Sequence, residues 1–214
     1  MTIIDLTYPL EDEMSVYPGD PLVSIRDHDV YELDGYRVTG LSLGTHSGTH
    51  IDAPSHTEAD GKSLDEFPIT TFIFEAERVD CRHRGARERI RLEDLPETVD
   101  GDLLVFQTGW DTHWGTDAYL DHPYLDVGVA KWCAERGIHV ALDAFGPDPT
   151  PSDNARPREP TDSPAHHALL SNDCLIIENL RGVDRVPDRF VLEAFPLAIA
   201  GADGAPVRAI ARFA

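Results

Sequence analysis

The chain has 214 residues, 41% apolar and 27% charged, a composition that fits one globular domain spanning 1–214 with an ordinary core. Thirty-nine acidic residues against 18 basic ones leave a net charge of -21, which excludes nucleic acid and anionic membrane as partners. Only Lys62 and Lys131 are lysines, and an acidic, lysine-poor surface stays soluble where salt screens its self-repulsion, which points either to a halophilic source or to a merely acidic mesophilic surface.

No apolar run approaches the ~20 residues that span a bilayer, and Met1 leads directly into a strand-like segment, so a soluble cytoplasmic protein is expected. Residues 3–8 read as the first strand. Tyr17-Pro18-Gly19-Asp20 is a tight turn behind an aromatic residue, which sets Tyr17 either on a rim or in ordinary packing beside the turn. Between 36 and 43 the apolar residues alternate as Tyr36, Val38 and, across Gly40, Leu41, Leu43. That is the pattern of a strand whose inward face is shifted by an inserted residue.

This strand delivers the densest chemistry in the chain, His46-Ser47-Gly48-Thr49-His50-Ile51-Asp52-Ala53-Pro54-Ser55-His56, with three of the ten histidines. Gly48, Thr49 and Pro54 make it a poor helix. In an extended chain of period two, the even-numbered His46, His50, Asp52 and His56 lean to one side. Imidazole nitrogen beside carboxylate oxygen suits zinc, manganese or iron rather than magnesium or calcium.

Residues 69–81 have a strand-like pattern, and the charged run 82–91 reads as a solvated loop or edge. The apolar run 103–106 fits a strand buried on both faces. Trp110, His113 and Trp114 follow it and belong either to a pocket wall or to the core. Residues 127–136 predict a helix capped by Asp126 and stopped at Gly137, with Trp132 and Cys133 inward, and 138–143 a strand. Residues 145–164 hold six of the 16 prolines, and a loop this long is more often functional than idle, so a lid is expected. A short helix over 165–170 carries His166 and His167. The apolar run 175–178 closes on Glu178, a carboxylate that is costly there unless it meets a cation or metal, and so a partner for the histidine segment. Residues 195–200 and 207–213 end the chain as strands around the Gly201-Ala202-Asp203-Gly204 turn. Cys81, Cys133 and Cys174 are odd in number, lack CxxC spacing and read as core thiols.

HSGTHIDAPSH fits the HxGTHxDxPxH pattern of the cyclase superfamily, whose best-known members are bacterial kynurenine formamidases, and the resemblance extends over the whole chain. Asp5-Leu6-Thr7, the Tyr17 turn, Thr108-Gly109 after the buried strand, His166 with Leu169-Leu170, and Glu178-Asn179-Leu180 carry it further. It implies an α/β fold with a strand-rich central sheet of the swivelling β/β/α type, assembled as a homodimer or homotetramer. It also implies two divalent ions, zinc or manganese. His46, His50 and Asp52 would hold one, His166 and Glu178 the other, with Asp52 and Glu178 bridging and His56 left free as acid and base. His166 is preferred to His167 because the family's histidine precedes a leucine pair by three and four residues and its glutamate by twelve.

The implied reaction is amide hydrolysis, N-formylkynurenine giving kynurenine and formate, with Tyr17 packed on the substrate's ring. Two departures bear on the substrate. Tyr17 stands where those enzymes usually carry tryptophan, and their Asp-x-x-Ser loop reads Asp143-Ala144-Phe145-Gly146. They keep open a cyclic amide such as isatin, or another small acyl compound. A metal-stabilised binding protein without catalysis is the reading from another class.

Overall fold

The computed structural model describes residues 1–214. Strand β1 (Thr2–Asp5) is followed by a hairpin of β2 (Ser24–Asp29) and β3 (Val38–Ser42), with a single helical turn, α1 (Tyr31–Asp34), at its tip. β4 (His50–Asp52), β5 (Ile73–Asp80), β6 (Arg89–Ile90), β7 (Leu103–Gln107) and β8 (Tyr124–Leu125) lead to helix α2 (Val127–Ala134). β9 (His139–Leu142), helix α3 (Pro164–Leu170), β10 (Ile176–Glu178), β11 (Arg189–Pro196) and β12 (Gly204–Phe213) complete the chain.

Seven strands close into a barrel in the order β12, β11, β5, β7, β9, β10, β4, with β4 returning to β12 and β1 lying beside the far half of β12. Pairing is parallel from β5 through β7 and β9 to β10 and antiparallel elsewhere in the ring. Successive side chains of a strand face opposite sides. Leu103 and Val105 therefore join the 22-residue core inside the barrel, while Leu104 and Phe106 join the 18-residue core under α2 and α3. Burying each such side chain is worth about 2 kcal/mol. A strand sandwiched between two cores must be apolar throughout, which is why 103–106 was legible as one.

Helix α2 starts as expected, the Asp126 carboxylate accepting from the Gly128 N–H at 3.0 Å, and Gly137 ends the segment at φ +66°. Cys133 is buried and Trp132 half-buried; all three cysteines are free and buried.

Four expectations need correction. β3 does not run inward: all five of its residues are exposed, it pairs only with β2, and the irregularity lies at Asp27 to Asp29 rather than at Gly40. Its apolar alternation belongs to a hairpin that stands off the barrel. Residues 69–72 form a 3-10 turn, and the strand begins only at Ile73. The final hairpin begins earlier than 195, since β11 runs Arg189–Pro196 and 197–203 is its connection to β12. The run 82–91 is not uniformly solvated, because Arg87 is buried. Arg87 pairs with Glu159 and, at 3.3 Å, with Asp121, and donates to the Thr150 carbonyl and Ser152 hydroxyl at 3.0 Å. It therefore pins the proline-rich loop to the body.

Candidate metal centre and active site

Alternation along β4 sorts its three residues by face. Ile51 belongs to the barrel core, which leaves His50 and Asp52 on the opposite face, between β10 and β12. On β10, Ile177 takes the inner side, and the register sets Glu178 directly across from His50. His50 Nε2 lies 3.3 Å from both Asp52 Oδ1 and Glu178 Oε2. Helix α3 brings His166, whose Nε2 is 3.2 Å from Glu178 Oε1 and 3.9 Å from Asp52 Oδ2. His167 instead faces the surface and pairs with Glu58 at 2.7 Å.

His46 arrives from the turn before β4, its Nδ1 2.7 Å from Asp52 Oδ1. His56 arrives from the 3-10 turn Pro54–His56, its ring 4.0 Å from that of His46 and 5.9 Å from that of His166. The residues singled out in the sequence thus come together, but not along one extended strand. Gly48 at φ +65° turns the chain between His46 and His50, and only His50 and Asp52 owe their common side to strand alternation.

Two glycines make room for these side chains. A Cβ at Gly204, opposite Asp52, would stand 2.6 Å from the His46 ring, and one at Gly146 would stand 2.5 Å from Glu178 Oε1. The glycine in place of the family's loop serine is therefore tied to where Glu178 sits.

Each of His46, His50 and His166 has its outward nitrogen occupied. His166 Nδ1–H donates to Asp148 at 2.8 Å, His46 Nε2–H to Asp203 at 3.0 Å, and His50 Nδ1–H to the Gly48 carbonyl at 2.8 Å. Such bonds fix ring orientation and turn the other nitrogen toward the carboxylates, as around protein-bound metals. The local sequence marked neither Asp148 nor Asp203 for this role.

Electrostatics fit a cation. Asp52 and Glu178 are buried together, and all their ion-pair partners are histidines. Burial works to raise the Asp52 carboxyl, but His46 and His50 outweigh it and hold it well below the usual range. Burial likewise works to lower His50 and His166. Asp52 and Glu178 raise His50 well above its ordinary value, and Asp148 with Glu178 push His166 up to about 10. His56 differs: burial lowers it, Asp52 opposes, and the charges of His46 and His166 reinforce the drop. Two carboxylates and three oriented imidazoles, with ligand atoms grouped within 4.8 Å as His46, His50, Asp52 and as Asp52, His166, Glu178, form a donor set that suits a borderline divalent metal.

A cavity of about 180 Å³ opens onto His50, His56, His166 and Glu178 and is walled by Tyr17 and Phe145, which meet edge to face at 6.2 Å. Tyr17 is therefore a rim residue. Trp110, His113 and Trp114 do not line this cavity. Trp114 stacks on Tyr8 at 4.1 Å and backs Phe145 at 6.1 Å, while Trp110 packs on the outer core.

A family model described as a putative cyclase matches residues 4–149. The chain belongs to the cyclase family. A kynurenine formamidase of Salinibacter ruber (strain DSM 13855 / M31) is 31% identical over 227 residues, covering 99% of this chain and 98% of the relative. An isatin hydrolase solved with the product analogue thioisatinate superposes with a TM-score of 0.84 at 24% identity, over 98% of this chain and 91% of that one. A potential metal-dependent hydrolase with cyclase activity gives a TM-score of 0.80 at 26% identity, over 100% and 99% of the two chains. The closed strand-rich sheet with its helices is the cyclase fold that the motif implied.

Proposed function

We propose that this cyclase-family chain is a metal-dependent amide hydrolase, a single domain over 1–214, that cleaves N-formylkynurenine to kynurenine and formate. The observation that carries the reading is the buried pair Asp52 and Glu178, ringed by three histidines whose outward nitrogens are all held, beside a cavity with an aromatic wall. Full-length relatives named kynurenine formamidase support the substrate. His46, His50 and Asp52 would hold one ion, and His166 and Glu178 with Asp52 a second, with zinc or manganese matched to the nitrogen and oxygen donors.

When bound, the metal would supply Lewis acidity, polarising the formyl carbonyl and lowering the pKa of the attacking water. The protein's own part is orientation and proton transfer. His56, its side chain 32% exposed and its imidazole held toward the neutral form, takes the proton from water as the C–O bond forms. It then delivers that proton to the aryl nitrogen as the C–N bond breaks. Tyr17 and Phe145 pack against the ring of the departing amine.

The test is a side-by-side assay of metal-loaded protein with N-formylkynurenine and with isatin. Kynurenine release favours the formamidase; ring opening of isatin alone would move the substrate to cyclic amides.

Assembly as a homodimer or homotetramer is part of the same reading. An isolated two-stranded hairpin is marginal alone, and the β2–β3 hairpin with α1 exposes Tyr31, Leu33, Tyr36, Val38 and Leu41. A second copy would cover it. A monomer mass in solution would contradict this.

A further inference from the structure

The catalytic cavity has a neighbour. A second cavity of about 240 Å³ lies under the proline-rich loop and shares Tyr17, Asp148 and Ser163 with the first. Its remaining wall includes Arg87, Glu159 and Arg156. Most of the charge here is answered. Arg87 is matched by Glu159 and Asp121, and Asp148 by His166 and the N–H groups of Ala165 and His166. Arg156 makes no ion pair: its guanidinium donates only to the backbone carbonyls of Ala86, at 2.8 Å, and Arg87, at 3.3 Å, and Glu159, the carboxylate that feels its charge, is already paired with Arg87. Behind it, Arg84, Arg89, Arg91 and Arg158 line an adjoining cleft with Arg87 and Arg156, against only two carboxylates, Glu88 and Glu159. In a chain of net charge -21, six arginines against two glutamates is a local reversal of sign, and a concave surface with an excess of positive charge favours anions.

We propose that the side pocket receives the anionic end of the substrate, a carboxylate on the side chain of the aryl amide, and that Arg156 anchors it. The inference rests on the amide-hydrolase reading of the neighbouring cavity. An aryl formamide whose ortho side chain ends in an amino acid carries its carboxylate several atoms from the reacting carbon, and a second chamber beyond Tyr17 accommodates that length. A bicyclic amide such as isatin has nothing to place there. Arg156 works through binding and stands away from the reacting atoms, so it sets specificity.

The test compares kcat/KM for N-formylkynurenine and for its methyl ester, which keeps the shape and removes the anion. The native protein should prefer the acid by about ten- to hundredfold, the scale of a charge-assisted contact, with the difference in KM. In Arg156→Gln the preference should collapse toward one. No preference in the native protein, or a preference that survives in Arg156→Gln, would overturn the proposal. Calorimetric binding of kynurenine against its methyl ester reads the same pocket without turnover. Silence in the assay would sink the reaction, and tighter binding of the acid, lost in Arg156→Gln, would still sustain the pocket. Equal binding of acid and ester would end it.

Discussion

Among the clustered histidines, His56 alone is held toward the neutral form, and its nearest carboxylate, that of Asp203, stands 3.6 Å from Nδ1. His56→Ala should therefore keep its metal and lose turnover on the order of a hundredfold or more, the scale of general acid-base catalysis. Metal content and kcat measured on one preparation check this; unchanged turnover would remove His56 from the mechanism. His139 predicts a pH effect. Its Nδ1 accepts from the Leu175 N–H at 2.8 Å, and burial pushes its pKa down from 6.5 to about 4. As pH falls below 6.5, the unfolded chain binds a proton that the folded ring takes up only near 4. Stability is thus lost through that window, by up to roughly 3 kcal/mol. Urea unfolding at pH 7 and pH 4.5 should show a smaller loss for His139→Gln than for the native chain. At this scale the inner site was legible, because HSGTHIDAPSH concentrates its donors and Glu178 stands out at the end of an apolar run. Asp148 and Asp203 were not, since they lie 18 and 157 residues from the histidines they hold.

Among the elements, the proline-rich loop, expected to be a lid, is anchored by a buried arginine. Arg87→Ala would leave Glu159 and Asp121 without their cation and should cost roughly 3–5 kcal/mol. It should also speed tryptic cleavage after Arg158, which limited proteolysis reads directly. An unchanged cleavage rate would mean that the loop is held by other contacts. The charge pattern of 82–91 hid this role, because Arg87 looks like its neighbours until its distant partners are known. Strand β7, which faces two cores, and helix α2, which covers one of them, were legible from local pattern and capping alone. β3 was misread for the converse reason: alternation marks an apolar face, and it does not say whether the chain's own core covers that face.

For the molecule as a whole, a net charge of -21 repels itself, and screening should relieve that. The melting temperature should rise by several degrees between low and molar salt; a flat response would reject a halophilic source. The candidate histidines are held in place by Asp148, Asp203 and the Gly48 carbonyl, contacts that do not depend on metal, so chelation should abolish activity while the circular dichroism of the barrel persists. Unfolding on chelation would instead favour a metal that is only structural. The most direct measurement is a titration of chelator-treated protein with zinc or manganese while kynurenine release from N-formylkynurenine is followed. Release should be absent without metal and should rise to saturation at about two equivalents per subunit, the count in a two-metal hydrolase site. Full release from the chelated protein would contradict metal-dependent amide hydrolysis at this site.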